Sequence, residues 1–521
     1  MPSRRLFLQQ ITGSAASLLL SPPWPGLLRG SGPLDRSTPE AQGVSSNYLL
    51  GFIEALNKLQ HDPHSLMILR YGYVIAEGWW SPYRADQLQT LYSLSKSFTS
   101  TAIGMAVKEG KLNLNDKVID FFPAECPDPL TLRHHLLRIK HLLTMSVGHG
   151  HDTTFEMTQT DDWVKAFLNF DFDQEPGHVF LYNSGATYML SAILQKVSGQ
   201  NVLDFLQKRL FDPLSIEKAD WERDPHGRCT GGWGLRLHTE DLAKFGQLML
   251  QRGRWGKHQL LTEDWVREAT SAQILSLGGS PDRPDKLNDW KQGYGYQFWR
   301  SQHGNYRGDG AFGQYCVILP NHHAVVVMTS ESADMQGELD LMWRYLLPAM
   351  RDQVLPTEAS TQVLRNTLQS LAIAPPSGVH PSAPWTRGRF MYYFDQNEQD
   401  ITKMQVILSS DGGKIICTIG EEKQTLAFGL DRWISSEINW PGMPPKLIPG
   451  HLHQTYTVAS AARWKDESTL EITSRFINYQ HKNYLTIIFT EEDIEVSFNH
   501  SLAKLIPSLP DKRETLIGLK I

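Results

Sequence analysis

Tyr92-Ser93-Leu94-Ser95-Lys96-Ser97-Phe98-Thr99-Ser100-Thr101-Ala102-Ile103-Gly104-Met105-Ala106-Val107 is the stretch on which the reading of this chain turns. Its second half, Phe98 to Val107, is a run of small and apolar residues that ends at Glu109-Gly110, where glycine supplies a C-terminal stop. A helix with so little polar surface is predicted to lie at the centre of its domain. At its head Ser93 and Lys96 stand three positions apart, which puts a hydroxyl and an amine one turn apart on the same helical face. A buried amine loses the solvation of its charged form, so its pKa falls toward neutrality and it can take the serine proton. Judged alone, the pair reads equally well as a helix cap beside an exposed lysine.

The Ser-x-x-Lys spacing also occurs at Ser215/Lys218 and Ser501/Lys504. Ser215 follows Asp212-Pro213-Leu214, a loop signal, and Ser501 lies in a strand-rich tail. Only Ser93 heads an apolar helical run. Outward from it stand Ile139-Lys140-His141-Leu142-Leu143-Thr144-Met145-Ser146-Val147-Gly148, then Gly231-Gly232-Trp233-Gly234-Leu235, then Asp241-Leu242-Ala243-Lys244-Phe245-Gly246. With Tyr92 to Ala102, these strings resemble the serine β-lactamase and penicillin-binding-protein superfamily, nearest its class C-like and esterase branch. The likeness covers about residues 36 to 350.

That resemblance implies an α+β fold in which an antiparallel sheet is flanked by helices, with a mainly helical subdomain. It also implies roles. Ser93 is the nucleophile. A Tyr-x-Asn or Tyr-x-Ser tripeptide presents a phenol to it, here Tyr182-Asn183-Ser184, so Lys96 and Tyr182 share the base role, with Ser184 toward substrate. A phenol beside a lysine ammonium is expected to ionise more easily. The family's Lys/His-Thr/x-Gly tripeptide has its counterpart in Gly308-Asp309-Gly310, the expected substrate-binding residues, and the N–H of the following Ala311 joins that of Ser93 as an oxyanion donor. Read without the resemblance, Tyr182 is a core tyrosine and Gly308 to Gly313 a hairpin turn.

One departure bears on substrate. Where relatives that bind β-lactams or peptide carboxylates place a cation, Gly308 carries none, and Arg307 is expected to point to the opposite strand face. No Glu-x-x-Leu-Asn string marks a separate deacylation glutamate. The reading therefore favours an esterase or amidase acting through an acyl-enzyme on a small ester, amide or peptide, resembling family VIII carboxylesterases and 6-aminohexanoate-dimer hydrolases. A D-Ala-D-Ala carboxypeptidase or β-lactamase, and a non-catalytic binder of cell-wall fragments, are the alternatives.

From about Trp385 onward nearly everything reads as strand and turn. Met404 to Leu408 and Ile415 to Ile419 flank Asp411-Gly412-Gly413, a hairpin signal, and further strands are predicted at Thr469 to Phe476, Tyr484 to Phe489 and Ile494 to Phe498. The expected organisation is a leader over 1–35, the hydrolase domain over 36–355, a helix and proline-rich linker over 356–384, and an all-β barrel or sandwich without catalytic groups over 385–521. At 521 residues, 41 % hydrophobic and 20 % charged, collagen, coiled coil and disorder are excluded. A net charge of -6 without a basic block argues against nucleic acid as a partner.

Ser3-Arg4-Arg5-Leu6-Phe7-Leu8 and the apolar Ile11 to Leu20 resemble a twin-arginine export signal, too short to span a membrane, which implies a periplasmic protein without a stable anchor. Cys126, Cys229, Cys316 and Cys417 form no C-x-x-C pair, so no structural zinc is expected. His149-Gly150-His151-Asp152, the one metal-like string, is followed by Thr153-Thr154 and is read as a solvated loop. No cofactor is implied.

Overall fold

The computed structural model describes residues 32–59, 61–440, 444–448 and 455–521. The Arg4-Arg5 motif and the apolar stretch after it lie outside the described residues. In the first domain α1 (Ser46–Lys58) precedes the hairpin of β1 (Pro63–Arg70) and β2 (Tyr73–Trp79), and then come α2 (Ser95–Lys108), α3 (Ser184–Ser198) and α4 (Thr239–Leu250). The strands β3 (Trp299–Arg300), β4 (Tyr306–Gly310), β5 (Gln314–Leu319) and β6 (Ala324–Ser330) complete an antiparallel sheet in the order β2-β1-β6-β5-β4-β3.

Every residue of β1 and β6 is buried, because helices cover both faces of this sheet. Strand alternation still sorts the side chains. Leu66 and Ile68 join Phe52 and Ile53 of α1 in one apolar cluster, whereas Met67 and Leu69 join Phe98 of α2 and Phe245 of α4 in the other. Phe98 stacks on Phe245 with 4.0 Å between ring centroids, and burying such a side chain contributes roughly 1.5–3 kcal/mol. Residues Ser95 to Ala106 of α2 are buried without interruption, as its composition predicts.

The segment read as a helix and linker does more than connect. Its helix α5 (Ser360–Gln369) lies on α1 and β2, with Leu364 and Leu371 in the cluster of Phe52 and with Leu368 and Leu371 packed over Gly78. It belongs to the first domain's core.

Ten strands then follow: β7 (Gly388–Phe394), β8 (Ile401–Ser409), β9 (Gly412–Ile419), β10 (Glu422–Leu430), β11 (Ile434–Ile438), β12 (Tyr456–Trp464), β13 (Thr469–Phe476), β14 (Lys482–Phe489), β15 (Asp493–His500) and β16 (Leu516–Lys520). Their order is β10-β9-β8-β7-β16-β15-β14-β13-β12-β11, and the ring closes where Gly429 and Leu430 run parallel to Ala461 and Ala462. Burial alternates along β14, with Asn483, Leu485, Ile487 and Phe489 inward, the period that one wet and one dry face impose. Closure removes the exposed edges that an open sheet would carry. The protein is thus an α+β domain followed by an all-β barrel, as expected from sequence.

The barrel does not stand apart. The turn between β13 and β14 lies against the chain leading to Ser93. Thr90 N–H donates to Asn478 O at 3.1 Å, Asn478 Nδ2 to Leu88 O at 2.8 Å, Gln89 Nε2 to Ile477 O at 2.9 Å and Gln480 Nε2 to Thr90 O at 2.5 Å. Asp62 and Glu331 of the first domain pair with Arg475 and Lys482 of the barrel.

Candidate active site

Ser93 sits in a single 3-10 turn, Tyr92–Leu94, that feeds directly into α2. It is half-buried between the fully buried Leu91, Tyr92, Leu94 and Ser95, so the hydroxyl can be reached from outside while its supports cannot. Tyr92 holds a left-handed φ of 46°, a conformation that costs a non-glycine residue on the order of 1–3 kcal/mol and persists only where the surroundings hold it. The turn is tied by Ser95 Oγ, which donates to Tyr92 O at 2.7 Å and accepts from Leu235 N at 3.1 Å.

One helical turn on, Lys96 points its amine at three oxygens: Ser93 Oγ at 3.0 Å, Ser184 Oγ at 2.9 Å and Gly232 O at 2.8 Å. Burial pushes its pKa down to about 7, against the pull of the Asp152 and Asp309 carboxylates. A neutral amine has two N–H groups and one lone pair. With the N–H groups given to Gly232 O and Ser184 Oγ, the lone pair is left for the Ser93 proton, which is the geometry of a general base.

Tyr182 completes the group. Its hydroxyl lies near Ser93, its ring lies 4.8 Å from the Lys96 amine and stacks on Trp299 at 5.5 Å. Contrary to the expectation of an easily ionised phenol, burial and then the Asp309 charge push its pKa well above the ordinary tyrosine range. The reason is that Lys96, with a pKa near 7, is already neutral where a phenol titrates and offers it no positive charge. Tyr182 is therefore a proton donor at neutral pH.

Ser184, expected to face substrate, has its hydroxyl against the Lys96 amine. It opens α3, where Asn183 caps the helix by accepting from Gly185 N at 2.9 Å, and its own N–H donates to Asp152 Oδ1 at 3.1 Å. Gly150, His151 and Asp152 are exposed, as a solvated loop requires, but His149 is buried. The His149 imidazole is 2 % exposed, packs on Phe167 and Phe172, and lies 3.2 Å from Asn183 Nδ2. Among the described residues no cluster could hold a metal ion.

The strand β4 brings Gly308, Asp309 and Gly310 beside Ser93. A Cβ on Gly308 would come within 2.6 Å of Ser97 Oγ and 3.3 Å of Leu94 Cγ, and one on Gly310 would strike Leu91 O and approach Tyr92 Cβ to 3.0 Å. The two glycines let the strand press against the turn that carries Ser93. Asp309 is buried on the other strand face, paired with Arg307 at 2.9 Å. Arg307 is fully buried, bonded to Ser301 Oγ at 2.7 Å and set under the Trp290 ring at 4.6 Å. Beyond Gly310, the N–H groups of Ala311 and of Ser93 have no hydrogen-bond acceptor among the described residues. They are thus available as oxyanion donors.

The other two Ser-x-x-Lys pairs are built differently. Ser215 has φ 53° in a turn and gives its carbonyl to Lys244, while Lys218 is exposed. Ser501 opens α6 (Ser501–Leu505) and donates to Glu331. Leu502 of that helix shares a small apolar cluster with Tyr92 and Phe312, so the barrel's last helix packs next to the turn that carries Ser93. The sequence reading passes over Asp152, Gly232 and Trp299 as members of the site. Gly232 had a local signal in the glycine pair, since a Cβ at Gly231 would lie 2.9 Å from Thr187 O and one at Gly232 3.0 Å from Ser184 O.

The family model described as Beta-lactamase matches residues 57–350. The 6-aminohexanoate-dimer hydrolase of Paenarthrobacter ureafaciens is 23% identical over 290 residues, covering 52% of this chain and 73% of that protein. The Beta-lactamase of Escherichia coli (strain K12) is 25% identical over 228 residues, covering 42% of this chain and 58% of that protein. Among solved structures, the octameric penicillin-binding protein homologue from Pyrococcus abyssi aligns with a TM-score of 0.45 at 17% identity, over 91% of this chain and 99% of that one.

Proposed function

Because the chain belongs to the β-lactamase family, which matches it over residues 57–350, we propose that it is a serine hydrolase working through an acyl-enzyme on small esters or amides. The observation that carries this reading is the Lys96 amine, buried with its pKa near 7 and 3.0 Å from Ser93 Oγ. In the first half-reaction Ser93 gives its proton to Lys96 while Oγ bonds to the substrate carbonyl carbon. The carbonyl oxygen takes the resulting charge between the N–H groups of Ser93 and Ala311. When the intermediate collapses, the bond to the leaving alkoxide or amine breaks and Tyr182 protonates it, the phenolate then regaining a proton from the Lys96 ammonium that faces its ring. Water then enters where the leaving group stood, and the same groups run the steps in reverse to free the acid.

Neutral substrates fit this site better than carboxylates. Gly308 supplies no cation, and Arg307 is fully buried and committed to Asp309. The 6-aminohexanoate-dimer hydrolase among the relatives supports including amides with esters. The test is intact mass after treatment with a fluorophosphonate, followed by a panel of ester, amide and β-lactam substrates. One adduct on Ser93, with turnover of neutral esters or amides, is expected. An unlabelled, inert protein would overturn the reading.

A further inference from the structure

The turn between β13 and β14 ends at His481, which reaches from the barrel into the first domain. Its Nε2 lies 2.7 Å from the Tyr92 hydroxyl and its Nδ1 lies 2.7 Å from Glu331 Oε1. Both His481 and Glu331 are buried. Burial works against the Glu331 charge, but Lys482 and His481 hold its pKa below the usual carboxylate range, so Glu331 is an acceptor only. Nδ1–H therefore donates to Glu331, and Nε2 is the ring nitrogen that faces the Tyr92 hydroxyl. The bond ends on the one residue of the nucleophile turn whose backbone is left-handed, φ 46°, and which directly precedes Ser93. The same residue meets Phe312, two positions from the oxyanion strand's end, at 5.6 Å between ring centroids. Phe312 in turn packs edge-on to His481 at 4.6 Å.

We propose that His481 is a positioning residue for the nucleophile, holding Tyr92 through its hydroxyl so that the turn presents Ser93 to Lys96 and to the Ala311 N–H, and that the barrel is a working part of the hydrolase. This rests on the reading of Ser93 as nucleophile. Gln89, Thr90 and Leu88 are held by the same barrel turn through five further hydrogen bonds. They fix the position of the chain, while His481 is the barrel side chain that bonds to the hydroxyl of the strained residue.

The experiment compares the full-length wild type with Tyr92→Phe, His481→Asn, His481→Gln and the double variant Tyr92→Phe/His481→Asn. Ester turnover and the rate of fluorophosphonate labelling at Ser93 are measured, with thermal melting alongside. Tyr92→Phe keeps the ring and deletes only the hydroxyl. Glutamine can present its amide near the place of Nε2, whereas asparagine reproduces only the Nδ1 side. Displacing a reacting group by a fraction of an ångström up to 1 Å costs up to about 10² in rate. Tyr92→Phe and His481→Asn are each expected to lower kcat about 10- to 100-fold with KM little changed, and the double variant to be no worse than either single one. His481→Gln is expected to recover most of the rate. Full kcat in Tyr92→Phe, an effect confined to KM, additive losses in the double variant, or equal losses in the asparagine and glutamine variants would each overturn the positioning role. If those variants behave like wild type while Ser93→Ala is inert, positioning fails and the nucleophile stands. If the wild type neither labels nor turns over, both fall.

Discussion

Ser93/Lys96 and Ser501/Lys504 share a spacing, a helical start and a place near the domain interface, yet their surroundings make them opposites. Lys96 is 1 % exposed and spends its contacts on Ser93, Ser184 and a carbonyl. Lys504 is exposed, and its amine lies 3.7 Å from the Tyr484 ring centroid. Ser93 Oγ is left facing the outside between an amine and a phenol. Ser501 Oγ is buried and given to Glu331, which also holds Lys482 at 2.8 Å. The spacing supplies the opportunity for proton transfer, and the burial of the amine together with the freedom of the hydroxyl decides whether it is used.

The sharpest way to break this comparison is to delete each hydroxyl. Ser93→Ala is expected to lower kcat by roughly 10⁴ to 10⁶, the scale on which a covalent nucleophile is missed. Ser501→Ala and Ser215→Ala are expected to leave turnover and fluorophosphonate labelling largely intact. Labelling at Ser501 or Ser215 would reverse the assignment.

The amines come next. Lys96→Ala and Tyr182→Phe should each cost roughly 10² to 10⁴ in kcat, the range for a general acid or base, while Lys504→Ala should cost nothing measurable. Equal losses from Lys96→Ala and Lys504→Ala in steady-state assays would show that burial of the amine does not distinguish them.

A smaller effect separates the two neighbourhoods by charge. Ser501 stands beside the Lys482–Glu331 ion pair, whereas Gly308 gives the Ser93 site no cation. A charge-assisted hydrogen bond contributes roughly 1.5–3 kcal/mol, so a substrate carboxylate that lacks one should be turned over about 10- to 150-fold less well than its methyl ester. Paired kcat/KM values for acid and ester test this, and a preference for the free acid would require a cation in the cleft.

The mildest test is pH. The Lys96 pKa is lowered to about 7 by burial, and only the neutral amine can accept a proton. Activity should therefore be full above pH 7 and fall toward tenfold per unit as pH drops below it. Tyr182 is shifted upward, away from neutrality, so no second loss is expected until well into the alkaline range. A profile that rises toward acid would mean that the charged amine is the working form.

Three of the site's side chains were legible because their signals are local. Ser93 and Lys96 are one turn apart on an apolar helix, and Tyr182 precedes a helix cap with a known partner spacing. The glycines of 308–310 were legible as a point of close approach, but not its direction. A glycine marks missing volume, and only the packed structure says that Ser97, Leu94 and Leu91 stand where a Cβ would be. The ionisation of Tyr182 was misjudged for a related reason, since proximity to a lysine favours the phenolate only if that lysine is charged.

By itself the amino-acid sequence determined an α+β domain followed by a β domain, because apolar periodicity and turn residues are properties of neighbouring positions. It also determined the chemistry available at the head of α2. The tertiary structure alone decided that Gly232 O and Ser184 Oγ share the Lys96 amine, that Asp152 supports Ser184, and that His481, 389 positions from Tyr92, closes on the turn that carries Ser93. Such contacts arise when segments distant in sequence bury their surfaces together and each buried polar group must find a partner, and no short-range pattern records which partner that will be.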